Sequence, residues 1–194
     1  MVRRFLGLAG RVVAGCVLAG CVSIAIQPVV RADDANALNA LVDAAVQRLE
    51  VADPIAAGKW LTGGPLTDPP RVRQVLDAVS ADAQSAGVSA DYVRTVFTDQ
   101  INATEAIEYS RFAEWKFGNS PAPTTAPDLA ASRSLIDGLN RMMVSQIAAQ
   151  WGLLNSPGCR SELDEAKSAV AQTRQLDWLF REALDTATRS YCQA

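Results

Sequence analysis

The chain has 194 residues, with 18 Lys and Arg against 21 Asp and Glu, 49% hydrophobic residues and no histidine. The missing imidazole excludes Ser–His and Cys–His nucleophilic catalysis, histidine general-base chemistry and histidine ligation of zinc. Any catalysis must rest on Arg, Lys, carboxylates and hydroxyls, and the Ala-rich composition suits helices.

Residues 1–32 read as an export signal. Arg3 and Arg4 supply the positive start, Val12 to Ile26 the apolar stretch, and Val30-Arg31-Ala32 a small-residue cleavage motif. Arg11 and Pro28 interrupt the apolar run and speak against a membrane-spanning helix. A rival within the same segment is Leu18-Ala19-Gly20-Cys21, which resembles a bacterial lipobox and would make Cys21 a lipid-modified N-terminus. Cleavage after Ala32 leaves a secreted or cell-envelope domain, 33–194, with 14 cations against 21 carboxylates, a net charge of −7. Such a surface repels nucleic acid and anionic membranes.

The first helical pattern runs from Ala35 to Trp60, with Leu38, Leu41, Val42, Ala45 and Leu49 on one side. Asp53-Pro54 kinks or restarts it. If the helix continues, Arg48 and Lys59, 11 residues apart, point the same way. After the loop Thr62–Thr67, Asp68 reads as an N-cap, Pro69 and Pro70 as the first turn, and the helix reaches about Ala86, with Arg71 near its start. The longest helix, Asp91 to Phe117, is bounded by Gly87 and Gly118 and carries Thr104, Glu105 and Glu108 on one side. That stripe is either a solvated face or the wall of a site. Residues 118–127 form a Pro-rich connector. A fourth helix, Asp128 to about Leu154, has Leu135, Ile136, Leu139, Met142, Met143, Ile147 and Trp151 as its apolar content and Arg133 near its start. Ser156-Pro157-Gly158 breaks the chain before a last helical segment or pair, 159–191. The pattern predicts an all-α, single-domain bundle of five or six helices.

Cys16 and Cys21 leave with the signal, so Cys159 and Cys192 remain, and in an exported protein they most simply form one disulfide. No CxxC pattern suggests a redox or metal role.

Arg48, Lys59 at +11, Arg71 at a further +12, then Thr104-Glu105-x-x-Glu108 and Arg133, resemble the all-helical class of chorismate mutases. Residues 48–60 and 100–116 are particularly similar to the secreted branch of that family, and the likeness covers most of 35–194. The resemblance implies a unimolecular Claisen rearrangement of chorismate to prephenate, with no cofactor, metal or covalent intermediate, in a homodimer. It implies that Arg48, Arg71 and Arg133 bind the two substrate carboxylates, since guanidinium offers bidentate planar contacts. Lys59 would reach the ether oxygen, where charge develops as the C–O bond breaks, and Glu108 would be the second donor to it. Thr104 and Glu105 would meet the ring hydroxyl or line the pocket. Two positions depart from the secreted pattern: Val75, where a polar side chain is expected, and Gly58, expected to loosen the helix end before Lys59. The alternative is a non-catalytic exported helical module that binds an anionic ligand or a protein partner, with Val75 and Gly58 as signs of a decayed site.

Overall fold

A computed structural model describes residues 36–193, so the predicted signal, its cleavage after Ala32 and the lipobox at Cys21 lie outside the described residues. The described residues form helices and connecting turns, with no strand among them. The order is α1 (Asn39–Glu50), α2 (Ala52–Thr62), α3 (Pro69–Ser85), α4 (Ala90–Phe117), α5 (Leu129–Ala149), α6 (Trp151–Leu154), α7 (Cys159–Thr173) and α8 (Trp178–Thr188).

The all-α reading holds, and two of the expected helices are subdivided. The 35–60 pattern breaks at Val51, which stays in the right-handed helical region, so α2 restarts almost at once. Pro54 is the physical reason, because it has no N–H to give to Glu50. The 128–154 pattern breaks at Gln150, leaving the single turn α6. The final stretch is a pair, α7 and α8.

Helix ends follow their local chemistry. Asp68 accepts from Arg71 N at 3.1 Å, Ser89 from Tyr92 N, Asp128 from Ala130 N and Asp177 from Phe180 N, each satisfying an otherwise orphaned donor. The long helix α4 ends at Gly118, whose φ of 72° is a left-handed value that side chains avoid.

Helix α1 is the hub. Leu41, Val42, Ala44, Ala45, Val46 and Leu49 are all fully buried, and α4, α5, α7 and α8 pack around the helix. The two alanines explain how four neighbours approach closely. Helix α4 is the spine, lying against α8, α3, α2 and α1. Along it, Tyr92, Val93, Val96, Phe97, Ala103 and Ile107 enter the core. Leu135 and Met142, expected as apolar content of the fourth helix, lie exposed on α5, while Ile136, Leu139, Met143 and Ile147 are buried.

The C-terminal tail is fastened three ways. Cys159 and Cys192 form a disulfide that spans 33 residues. Gln193 N donates to Leu154 O, and Tyr92 Oη donates to Tyr191 O at 2.6 Å. In the chain-entropy account, closing a loop of that size contributes about 3–4 kcal/mol.

Candidate active site

One cavity gathers all seven residues singled out above: Arg48, Lys59, Arg71, Thr104, Glu105, Glu108 and Arg133. They come from five helices. The straight-helix premise for Arg48 and Lys59 fails, since two helices meet at Val51, yet both side chains line the same space. Ile55, Val72, Val75, Ile101, Leu129 and Ile136 supply apolar walls. Apolar walls lower the local dielectric, so each charge inside interacts more strongly than it would in water.

Arg48 is the deepest of the cations, only 3% exposed. Its Nε donates to Asn140 Oδ1 at 2.8 Å and its Nη1 to Thr104 Oγ1 at 3.1 Å. Thr104 in turn donates to Gln100 O, one turn back along α4. The guanidinium also lies 6.0 Å from the centre of the Phe97 ring. These partners are neutral, and among the described residues Arg48 has no ion pair. Burial pushes its pKa down to about 10, which still leaves a full cation at neutral pH.

The other three cations are each paired. Lys59 Nζ lies 2.6 Å from Glu108 Oε2 and also donates to Leu66 O. Arg71 bridges Asp137 on α5 and donates to Gln74. Arg133 reaches Asp68 at 3.1 Å, the same carboxylate that caps α3. Burial pushes the Glu108 carboxyl up to about 6, against the pull of Lys59, and the nearby Glu105 charge adds to the rise.

Asn140, Asp137 and Asp68 were not singled out as site residues from sequence. A signal existed for two of them: Arg133, Asp137 and Asn140 follow at i, i+4 and i+7, a polar stripe on one face of α5. Asp68 was read as a cap, and it also holds a cation.

Gly58 does not loosen α2. The helix runs on to Thr62, and a Cβ at Gly58 would meet Leu129 Cδ2 at 3.0 Å, so Leu129 fills the space above the glycine. Val75 is buried and forms part of the cavity wall.

Four cations and three carboxylates around an apolar-walled cavity, in an all-α bundle, define a helical enzyme site for a small anion. A family model described as chorismate mutase type II matches residues 36–109. The chain is 54% identical over 167 residues to the secreted chorismate mutase of Mycobacterium tuberculosis, covering 86% of this chain and 84% of that protein. It is 51% identical over 166 residues to the secreted chorismate mutase of Mycolicibacterium smegmatis, covering 86% and 92%. Among solved structures, the chorismate mutase of Burkholderia thailandensis superposes with a TM-score of 0.77 at 35% identity, covering 81% of this chain and 99% of that one. The chain belongs to the secreted chorismate mutases. No described helix is long and apolar enough to cross a membrane.

Proposed function

We propose that this chorismate mutase holds its dianionic substrate between Arg48, Arg71 and Arg133 and uses Lys59 and Glu108 as its catalytic pair. The reaction breaks one ether C–O bond and forms one C–C bond within the same molecule, turning chorismate into prephenate. No group is transferred to the protein, so its work is orientation and charge stabilisation. Three guanidiniums placed on separate helices fix two carboxylates and so select the folded, reactive conformer. Lys59 meets the ether oxygen as it gains negative charge. Glu108, protonated, donates to the same oxygen. Thr104 and Glu105 line the side where the ring hydroxyl lies.

The observation that carries this reading is Arg48, a buried cation held only by neutral partners. A buried charge without a counter-ion is costly. A bound carboxylate supplies what the resting site lacks. The test is turnover of chorismate by the mature protein, followed by loss of substrate absorbance, for wild type and Arg48→Ala. Arg48→Ala is expected to raise KM at least about tenfold, equivalent to roughly 1.4 kcal/mol of lost substrate binding. Unchanged KM would remove Arg48 from the substrate contacts.

The secreted relatives support export of this chain; removal of residues 1–32, leaving a mature domain at 33–194, rests on the signal-like sequence. Family membership supports a homodimer, which sedimentation of the mature protein tests. The non-catalytic alternative is not favoured, because the family and the relatives are enzymes.

A further inference from the structure

We propose that Asn140 is a positioning residue whose lack of charge keeps Arg48 free for the substrate. This inference rests on the reading of Arg48 as a substrate-carboxylate contact.

Helix α5 sends a short polar stripe toward the cavity. Arg133, Asp137 and Asn140 stand at i, i+4 and i+7. Two of these residues act on cations of the site, and they do so differently. Asp137 bonds Arg71 with a carboxylate whose side chain is 43% exposed, where solvent screens the pair. Asn140 bonds Arg48 with an amide at a position 4% exposed, where no such screening is available. A guanidinium has only donors, so the amide oxygen must face Nε, and this fixes the side chain's orientation. The 2.8 Å bond at Nε, with the Thr104 bond at Nη1, sets the plane of the guanidinium.

Aspartate has the same shape as asparagine and would make the same bond. It would also place a full negative charge in a dry environment against the cation. That pair would be strong, because little water competes with it. It would neutralise Arg48 before any substrate arrived. Asparagine therefore orients the guanidinium and leaves it without a bonded counter-ion, with Asp137 acting on it only at a distance, at some cost in stability. The arrangement exchanges resting-state stability for anion affinity.

Asn140→Asp and Asn140→Leu separate charge from shape. Thermal unfolding of the mature protein without substrate, and KM and kcat for chorismate, are measured for both, with Arg48→Ala as reference. Asn140→Asp is expected to raise KM at least about tenfold, with the smaller change in kcat. Its Tm is expected to rise by about 2 °C or more, as a buried cation gains its counter-ion. Asn140→Leu is expected to lower Tm, since it removes the Nε acceptor from a buried cation. Opposite Tm shifts with a raised KM in the aspartate variant support the proposal, because a purely structural residue would not join higher stability to weaker substrate binding. A wild-type KM in Asn140→Asp, a lowered Tm, or failure of that variant to fold overturns it. If Arg48→Ala itself leaves KM unchanged, the reading of Arg48 fails; if only Asn140→Asp does, this inference fails alone.

Discussion

Lys59 Nζ on α2 and Glu108 Oε2 on α4, 49 residues apart in sequence, stand 2.6 Å from each other. Each satisfies the other in the resting site, and the proposed mechanism directs both to the same substrate oxygen. A carboxylate facing an oxygen that gains negative charge would oppose the reaction. The acid form can donate, and only the acid form.

The first expectation therefore concerns pH. Burial, the largest influence on Glu108, holds its pKa near 6, above the usual carboxylate range. The protonated fraction falls as pH rises through that value, so kcat/KM of the free enzyme should fall with it. Glu108→Gln donates at every pH and should keep substantial activity with much less pH dependence. Glu108→Ala should be poor throughout. Equal behaviour of the Gln and Ala variants would show that Glu108 is not the donor.

Lysine substitutions give a clean internal comparison, because Lys59, Lys116 and Lys167 are the only three in the chain. Lys116 rests 5.9 Å from the Trp60 ring centre, and Lys167 links Asp164 to Asp185 between α7 and α8. Lys59→Ala should lower kcat/KM by about 10²–10³, the usual effect of losing a donor aimed at a developing oxyanion. The other two should stay within about twofold of wild type, since exposed charge contacts contribute up to about 1 kcal/mol to stability and nothing to the reacting atoms. Similar losses for all three would refute a special role for Lys59.

Mass and stability together examine the exported form. The secreted protein is expected to begin at Asp33 and to carry the Cys159–Cys192 bond. Intact mass decides both, and a lipidated Cys21 or two thiols that alkylate without reduction would contradict the expectation. Replacing both cysteines by serine should destabilise the fold by about 3–4 kcal/mol in the chain-entropy account.

Two tyrosines should respond oppositely to loss of a hydroxyl. Tyr191 is fully buried and its Oη has no hydrogen-bond partner among the described residues, whereas Tyr92 Oη donates to Tyr191 O at 2.6 Å. Tyr191→Phe should leave Tm unchanged or raise it, because an unpaired polar atom leaves the interior. Tyr92→Phe should lower stability by about 1–2 kcal/mol, since it orphans a buried carbonyl. A larger loss for Tyr191→Phe than for Tyr92→Phe would show that the Tyr191 hydroxyl has a partner in solution.

Proline and glycine punctuation made α3 and α4 readable in sequence, because Asp68-Pro69-Pro70, Gly87 and Gly118 act through local backbone geometry. The break at Val51 was half readable: Pro54 announced a kink or restart, and only the surrounding packing selects between them. Thr104 and Glu105, four and three residues before Glu108, established a shared side, but not whether that side met water. Burial of Glu108 depends on α2 and α3 closing over α4, which is a tertiary fact. The same holds for Gly58, whose missing side chain looks like a weakness in one dimension and is filled by Leu129 in three. Asn140 escaped notice because an amide on a helix carries no charge to draw attention. Its importance lies in the cation it faces, 92 residues away.

Placement of Arg48 on α1 has a consequence for how the enzyme fails. Its flanking backbone belongs to the helix that α4, α5, α7 and α8 enclose. Local fraying opens loops and chain ends at little energetic cost, but it does not reach such a helix. Amide hydrogens of Arg48 and Leu49 should therefore exchange with solvent only when the whole domain opens. The proposed substrate contact at Arg48 is then lost on heating only with the fold itself, whereas Lys59, in the last turn of α2, lies where local opening reaches first.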